Sequence, residues 1–261
     1  MALALRYAAR SDVGLGRYTN NQDSGYAGPH LLAVCDGMGG HAGGDVAGSV
    51  AVGRLVALDG DTLGGEAVTE PGAGAARGQP ADRRARRGRA GARRHGHHGH
   101  RARAVRLQRR WRTSATRAAT CCATASLTRI TRDHTFVQTL VDDGRITADE
   151  AETHPQRNIV TRVLSGHRDD DPDLSVREAR VGDRYLLCSD GLTGVIREET
   201  LRETLTEAAD PDAAADQPAA DGAARGAPDN VTCIVADVVH PSRAPRPPCR
   251  RWWGPPRRTA P

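Results

Sequence analysis

The sequence predicts a mixed α+β protein, and three observations carry that reading. Apolar runs with strand character recur along the chain and meet aspartates: Leu31–Cys35 runs into Asp36-Gly37, Tyr185–Ser189 runs into Asp190-Gly191, and Asp229-Asn230 opens Val231–Val235. Segments with helical spacing lie between them, at Val46, Val50 and Ala57, around Phe136–Val141 and near Glu198–Ala208. The 261 residues suffice for one large domain or two small ones with a substantial core.

Taken in order, Leu3, Leu5 and Tyr7 alternate with other residues as in a half-buried strand. Tyr26 and then Leu31–Cys35 give a second and third strand after glycine-rich turns, and a helix follows. From about Pro71 the periodicity disappears, and Gly, Ala and Arg dominate until Trp111. Order returns at Leu127–Ile130, followed by the helix at 136–141 and a helix–turn region through Ile159–Leu164. Strands are expected at 174–180 and 183–189, a helix at 198–208 and a final strand at 231–238. The Ala/Asp/Pro-rich stretch 209–228 reads as an interruption, and the Pro/Arg tail 241–261 as disordered.

Charge is unevenly distributed. The chain has no lysine, and its formal net charge of +5 hides 15 arginines against one acid, Asp82, in residues 71–117. The remainder carries 22 basic and 31 acidic residues, so an acidic body bears two basic pieces, the second with six arginines in 241–261. Six cysteines show no CxxC spacing, and Cys35, Cys188 and Cys233 sit inside apolar runs, as reduced core residues do. The N-terminus lacks the apolar region of a signal peptide, and no stretch approaches the ~20 apolar residues that span a bilayer. A cytoplasmic monomer is the expectation.

Three strand-terminal aspartates suggest one metal site. Carboxylate oxygens are hard ligands and favour magnesium or manganese over zinc or copper. Two such ions sharing a water lower its pKa and aim it at phosphorus, which points to phosphate ester hydrolysis. Arg17, in the loop before Asn20-Asn21-Gln22-Asp23, is placed to hold phosphoryl oxygens.

At these residues the chain resembles the type 2C metal-dependent serine/threonine protein phosphatases, also called the PPM family, and in particular their bacterial branch. The resemblance rests on Arg17–Asp23, on Asp36–His41 as D-G-M-G-G-H, on Thr131–His134, on His154–Asn158, on Ser189-Asp190-Gly191 and on Asp229–Thr232, in family order. It implies a four-layer α/β/β/α sandwich of two antiparallel sheets, with a centre of two Mn2+ or Mg2+ ions at one end. Carried over by position, Asp36 bridges the ions, the Gly37 carbonyl coordinates one, and Asp190 and Asp229 complete the shell. Gln22 stands where a water-orienting glutamate is frequent, with Asp23 and Asn230 supporting the ligands. Arg17 grips phosphate, and His41 is a general-acid candidate, although eukaryotic members place their histidine where Met38 stands. Phosphorylated proteins, including Ser/Thr kinases, are the implied partners, with no nucleic acid.

The family pattern breaks in the middle. A strand opening G-M-G-T-T and a strand leading to G-D-S-R have no counterpart, so the aspartate that can bind a third ion is absent. Coding G-D-S-R-G-Y-L-L-R-D-G with GC-rich codons and reading one base late yields Ala115–Thr124, and a G-M-G-T-T-V-T codon run read two bases late yields His95–His100. Residues 70–126 of a 1–240 catalytic domain therefore read as frame-shifted, with central strands missing or disordered. Two competing readings use the same segment: Arg83–Arg112 as a nucleic-acid-binding arm, and His95, His97, His98 and His100 as zinc ligands, whose spacing fits neither a finger nor an enzyme site. A catalytically dead relative that binds phosphoproteins or nucleic acid is the alternative function.

Overall fold

The structure, a computed structural model, describes residues 3–15, 20–37, 44–56, 59, 100–106, 111–114, 119–123, 126–163, 173–224, 226–243 and 251–253. The chain opens with strands β1 (Ala4–Asp12), β2 (Ser24–Ala27) and β3 (Leu31–Gly37), then helix α1 (Gly44–Leu55). Strands β4 (His100–Arg106), β5 (Trp111–Ser114), β6 (Ala119–Ala123) and β7 (Ser126–Arg129) follow. Helices α2 (Phe136–Asp142) and α3 (Ala148–Thr153) precede β8 (Leu174–Arg177) and β9 (Arg184–Cys188). Helices α4 (Asp190–Thr193), α5 (Glu198–Glu207) and α6 (Pro211–Ala224) lead to β10 (Val231–Val239), a 3-10 turn at Pro241–Arg243 and β11 (Arg251–Trp253).

Two antiparallel sheets result, one in the order β1-β10-β9-β6-β7 and the other β11-β2-β3-β4-β5-β8. Alternation along each strand assigns its residues to layers. Ile234, Ala236 and Val238 of β10 join Tyr185 and Leu187 of β9, Leu5 and Tyr7 of β1, and Leu32 and Val34 of β3 in the core between the sheets. The opposite faces carry helices. Val231, Cys233 and Val235 pack with Leu192, Leu201, Leu205, Ala214 and Ala215, while Leu31, Ala33 and Cys35 pack with Val52 and Leu55 of α1. The α+β class and the α/β/β/α layering expected from the sequence are present.

Several expectations are corrected. The central strands are present as backbone: β4 pairs with β3 along its length, β5 bridges β4 and β8, and β6 lies between β9 and β7. Ladder hydrogen bonds come from main-chain groups, so a slot between two strands can be filled by extended chain of almost any composition. The same placement puts 100–106 and Trp111-Arg112 of the arginine-rich run in a sheet, not in a free arm; residues 60–99, with His95, His97 and His98, lie outside the described residues. Most of the stretch read as an interruption at 209–228 is helix α6. The tail also contributes β11, whose backbone pairs with β2 through Arg251↔Ala27 and Trp253↔Gly25. The helix and turn lie earlier than 159–163: Thr147 and Glu150 form a reciprocal capping box that starts α3, turn follows at 155–158 and Val160 bridges to Thr135, while Leu164 lies outside the described residues.

The Asp133-His134 pair stands at the junction between β7 and α2. The next residue, Thr135, caps α2 by accepting from the Gln138 N–H at 3.2 Å, and the His134 carbonyl accepts from the Thr161 N–H at 2.9 Å. Arg184 donates to Asp237 at 2.6 Å and to the Leu205 and Ala208 carbonyls at 2.9 and 2.8 Å. One half-buried guanidinium thus ties the last turn of α5 to β9 and β10. Cys35, Cys188 and Cys233 are buried thiols outside any disulfide, and burial, with Cys188 nearby, pushes Cys233 up to about 12, so it packs without reacting.

Candidate metal and phosphate site

The site grows from one end of the sandwich. Strand β3 finishes at Asp36-Gly37, and alternation places Asp36 on the same face as Leu32 and Val34, toward the cleft between sheets. The β2–β3 ladder pairs Ser24 with Cys35, which brings Asp23, one residue before β2, to the same end. Across the cleft, β9 ends at Cys188 opposite Cys233, so Asp190 follows the end of β9 while Asp229 precedes β10. Asp36, Asp190 and Asp229 are each half-buried. The same end therefore carries four carboxylates.

Asp23 is the most deeply placed of them, at 3% exposure. Burial pushes its carboxyl up to about 7, opposed by the Thr232 and Ser189 hydroxyls and reinforced by the negative charges of Asp190 and Asp229. Its Oδ2 has no hydrogen-bond partner. A buried carboxylate oxygen left unpaired among like charges fits a hard divalent cation, which would relieve both the repulsion and the missing bond. Among the described residues no three His, Cys, Asp or Glu side chains are already gathered around a single point.

Asn230 organises the surroundings. Its Oδ1 accepts from the Gln22 N–H at 2.8 Å, its Nδ2 donates to the Val13 carbonyl at 2.9 Å and to the Asn20 carbonyl at 3.3 Å, and its own N–H donates to Asp229 Oδ1 at 2.8 Å. Ser189 continues the frame, donating through Oγ to the Asn230 carbonyl at 3.2 Å and accepting from the Thr232 N–H at 2.9 Å. Ser11 and Thr232 hydroxyls meet at 2.7 Å, and Asn21 Nδ2 donates to Ser11 at 2.9 Å. Two glycines permit this closeness. A Cβ on Gly191 would overlap the Asn230 carbonyl, and Gly14, at φ +74°, lies against the Asp229 carbonyl.

The structure therefore brings Asp23, Asp190, Asp229, Asn230 and Gln22 into one neighbourhood and ends β3 with Asp36 and Gly37 at the same rim. Arg17 and His41 lie outside the described residues. Ser11 carries no spacing signal in the sequence, because a lone hydroxyl in a strand matches no periodic pattern, while Asn21, Ser189 and Thr232 stand inside the quoted motifs with no supporting role assigned to them.

Hard oxygen donors at the open end of an α/β/β/α sandwich suit divalent metal ions. No protein-family model matches the chain. The serine/threonine protein phosphatase PstP of Mycobacterium tuberculosis strain H37Rv is 44% identical over 241 residues, which cover 92% of this chain and 46% of that protein. The chain thus spans about half the length of the curated relatives it matches over most of its own length. The crystal structure of the M. tuberculosis phosphatase PstP/Ppp superposes with a TM-score of 0.84 at 42% identity, covering 91% of this chain and 100% of that one. The PstP catalytic domain in complex with two manganese ions gives 0.82 at 41% identity, covering 92% and 100%. The chain belongs to the PPM (type 2C) family of serine/threonine protein phosphatases.

Proposed function

We propose that the chain hydrolyses phosphoserine and phosphothreonine in proteins, with water as the nucleophile and inorganic phosphate and a free hydroxyl side chain as products. The observation that carries this reading is the unpartnered, buried Oδ2 of Asp23 beside the charges of Asp190 and Asp229. The manganese-bound relative supports it.

In this reading Asp36, the Gly37 carbonyl, Asp190 and Asp229 hold two Mn2+ or Mg2+ ions. When bound, the ions supply a lowered water pKa and charge neutralisation at phosphorus. The chain's own residues do the positioning. Asn230 fixes the backbone of Gln22 and the carbonyls of Val13 and Asn20, so the segment that includes Arg17 is anchored on both sides. Arg17 then offers a planar fork to two phosphoryl oxygens, and His41 is the candidate that returns a proton to the leaving serine or threonine oxygen. Gln22 contributes an uncharged amide near the attacking water, and Asp23 takes up charge at the floor of the site.

Phosphorylated proteins, Ser/Thr kinases among them, are the proposed substrates, acted on by a cytoplasmic monomer. Residues 1–240 form the catalytic domain in this reading. No helix among the described residues is long and apolar enough to cross a membrane. The test is hydrolysis of a chromogenic phosphate ester and of a phosphothreonine peptide with added Mn2+, by the chain and by Asp190→Asn. A metal-dependent rate that falls at least a hundredfold in the variant is expected, and equal rates in the two proteins would end the proposal.

A further inference from the structure

We infer that Arg101 competes with the divalent cation at Asp36, so that this chain binds metal more weakly than its carboxylate set alone would allow. The inference rests on the metal reading of Asp36 and adds a residue that tunes it. The β3–β4 ladder runs Cys35↔Ala102, Asp36↔Arg101 and Gly37↔His100. Directly opposed residues of an antiparallel pair share a face, with Cα atoms about 4.5–5.5 Å apart. Position 101 therefore belongs to the cleft face, at the end of the sandwich where Asp190 and Asp229 stand.

A guanidinium cannot shed its proton in a protein, so the charge at 101 persists at every working pH. Coulomb repulsion falls with distance, and a divalent ion doubles it, so an arginine at the ladder position opposite Asp36 weakens ion binding there more than one placed further along the strand. Arg103, two residues on, is opposite Val34 and serves as the internal comparison.

The experiment is calorimetric titration of Mn2+ into the full chain, with circular dichroism to follow folding, for Arg101→Thr, Arg101→Gln, Arg103→Gln and Asp190→Asn. Both neutral replacements at 101 are expected to bind Mn2+ at least tenfold more tightly than the parent, and Arg103→Gln within threefold of it. The advantage should shrink as NaCl rises from about 50 to about 500 mM, because salt screens the repulsion. Two chemically different replacements guard against loss of fold in one of them. Unchanged affinity in both, with binding abolished by Asp190→Asn, would overturn the role of Arg101 and leave the metal site standing. Binding untouched by Asp190→Asn would overturn the metal site itself, and the role of Arg101 with it.

Discussion

Asn230 lies beneath two chain segments at once, 4% exposed, with its amide spent on the Gln22 N–H and the Val13 and Asn20 carbonyls. Truncating it strands those main-chain groups, and a buried polar group without a partner costs about 1–3 kcal/mol. Asn230→Ala is therefore expected to destabilise by about 2 kcal/mol, and to release the loop that precedes Asp23. Urea denaturation reads the first effect, and a rise in KM for phosphopeptide larger than the fall in kcat reads the second; unchanged stability would show that the amide is not a clamp. At this scale the sequence is informative where chemistry repeats. Asp36, Asp190 and Asp229 are visible because each meets an apolar run beside a glycine or asparagine. Ser11, which helps to hold the frame, is invisible because a single hydroxyl satisfies no periodic pattern, and Ser189 and Thr232 show only as members of the motifs around Asp190 and Asp229.

Helix α6 shows what hydropathy misses at the scale of an element. Its buried positions, Pro211, Ala214, Ala215, Pro218 and Gly222, fall at helical spacing, yet none has a large side chain, so the pattern is faint in sequence. Small residues let the helix lie close on β1 and β10: the Cys233 thiol reaches the Ala215 carbonyl at 3.7 Å, and Arg10 on β1 donates to Asp216 at 2.5 Å and Asp212 at 3.2 Å. The close approach leaves no room for a longer side chain. Ala215→Leu, at a fully buried position, is expected to cost about 1–3 kcal/mol by overpacking, whereas Ala213→Leu on the exposed face should stay within about 0.5 kcal/mol. Thermal unfolding of the two variants side by side checks the prediction, and equal melting temperatures would mean that the helix does not pack through that face. Strands β1, β3, β9 and β10, by contrast, are legible because Leu, Ile, Val and Tyr alternate along them.

At the scale of the whole molecule the two sheets are unequal partners in the core. The faces of β1, β9 and β10 that look into the cleft present Leu5, Tyr7, Tyr185, Leu187, Ile234, Ala236 and Val238, all buried. On the other sheet β3 answers with Leu32 and Val34, but the β4 register sets Val105 opposite Leu32 and Arg103 opposite Val34. Position 103 thus belongs to the interior face beside a valine with no solvent exposure, where the pattern calls for an apolar residue. Transferring charge toward such a face is unfavourable, and burying a valine side chain contributes about 1.5–3 kcal/mol. Arg103→Val is accordingly expected to raise unfolding free energy by about 1–3 kcal/mol, seen as a higher urea midpoint with an unchanged slope. Metal affinity should move little, because position 103 lies two residues from the rim. A lower midpoint would mean that position 103 faces away from the core, and the register on which the inner layer depends would have to shift by one residue.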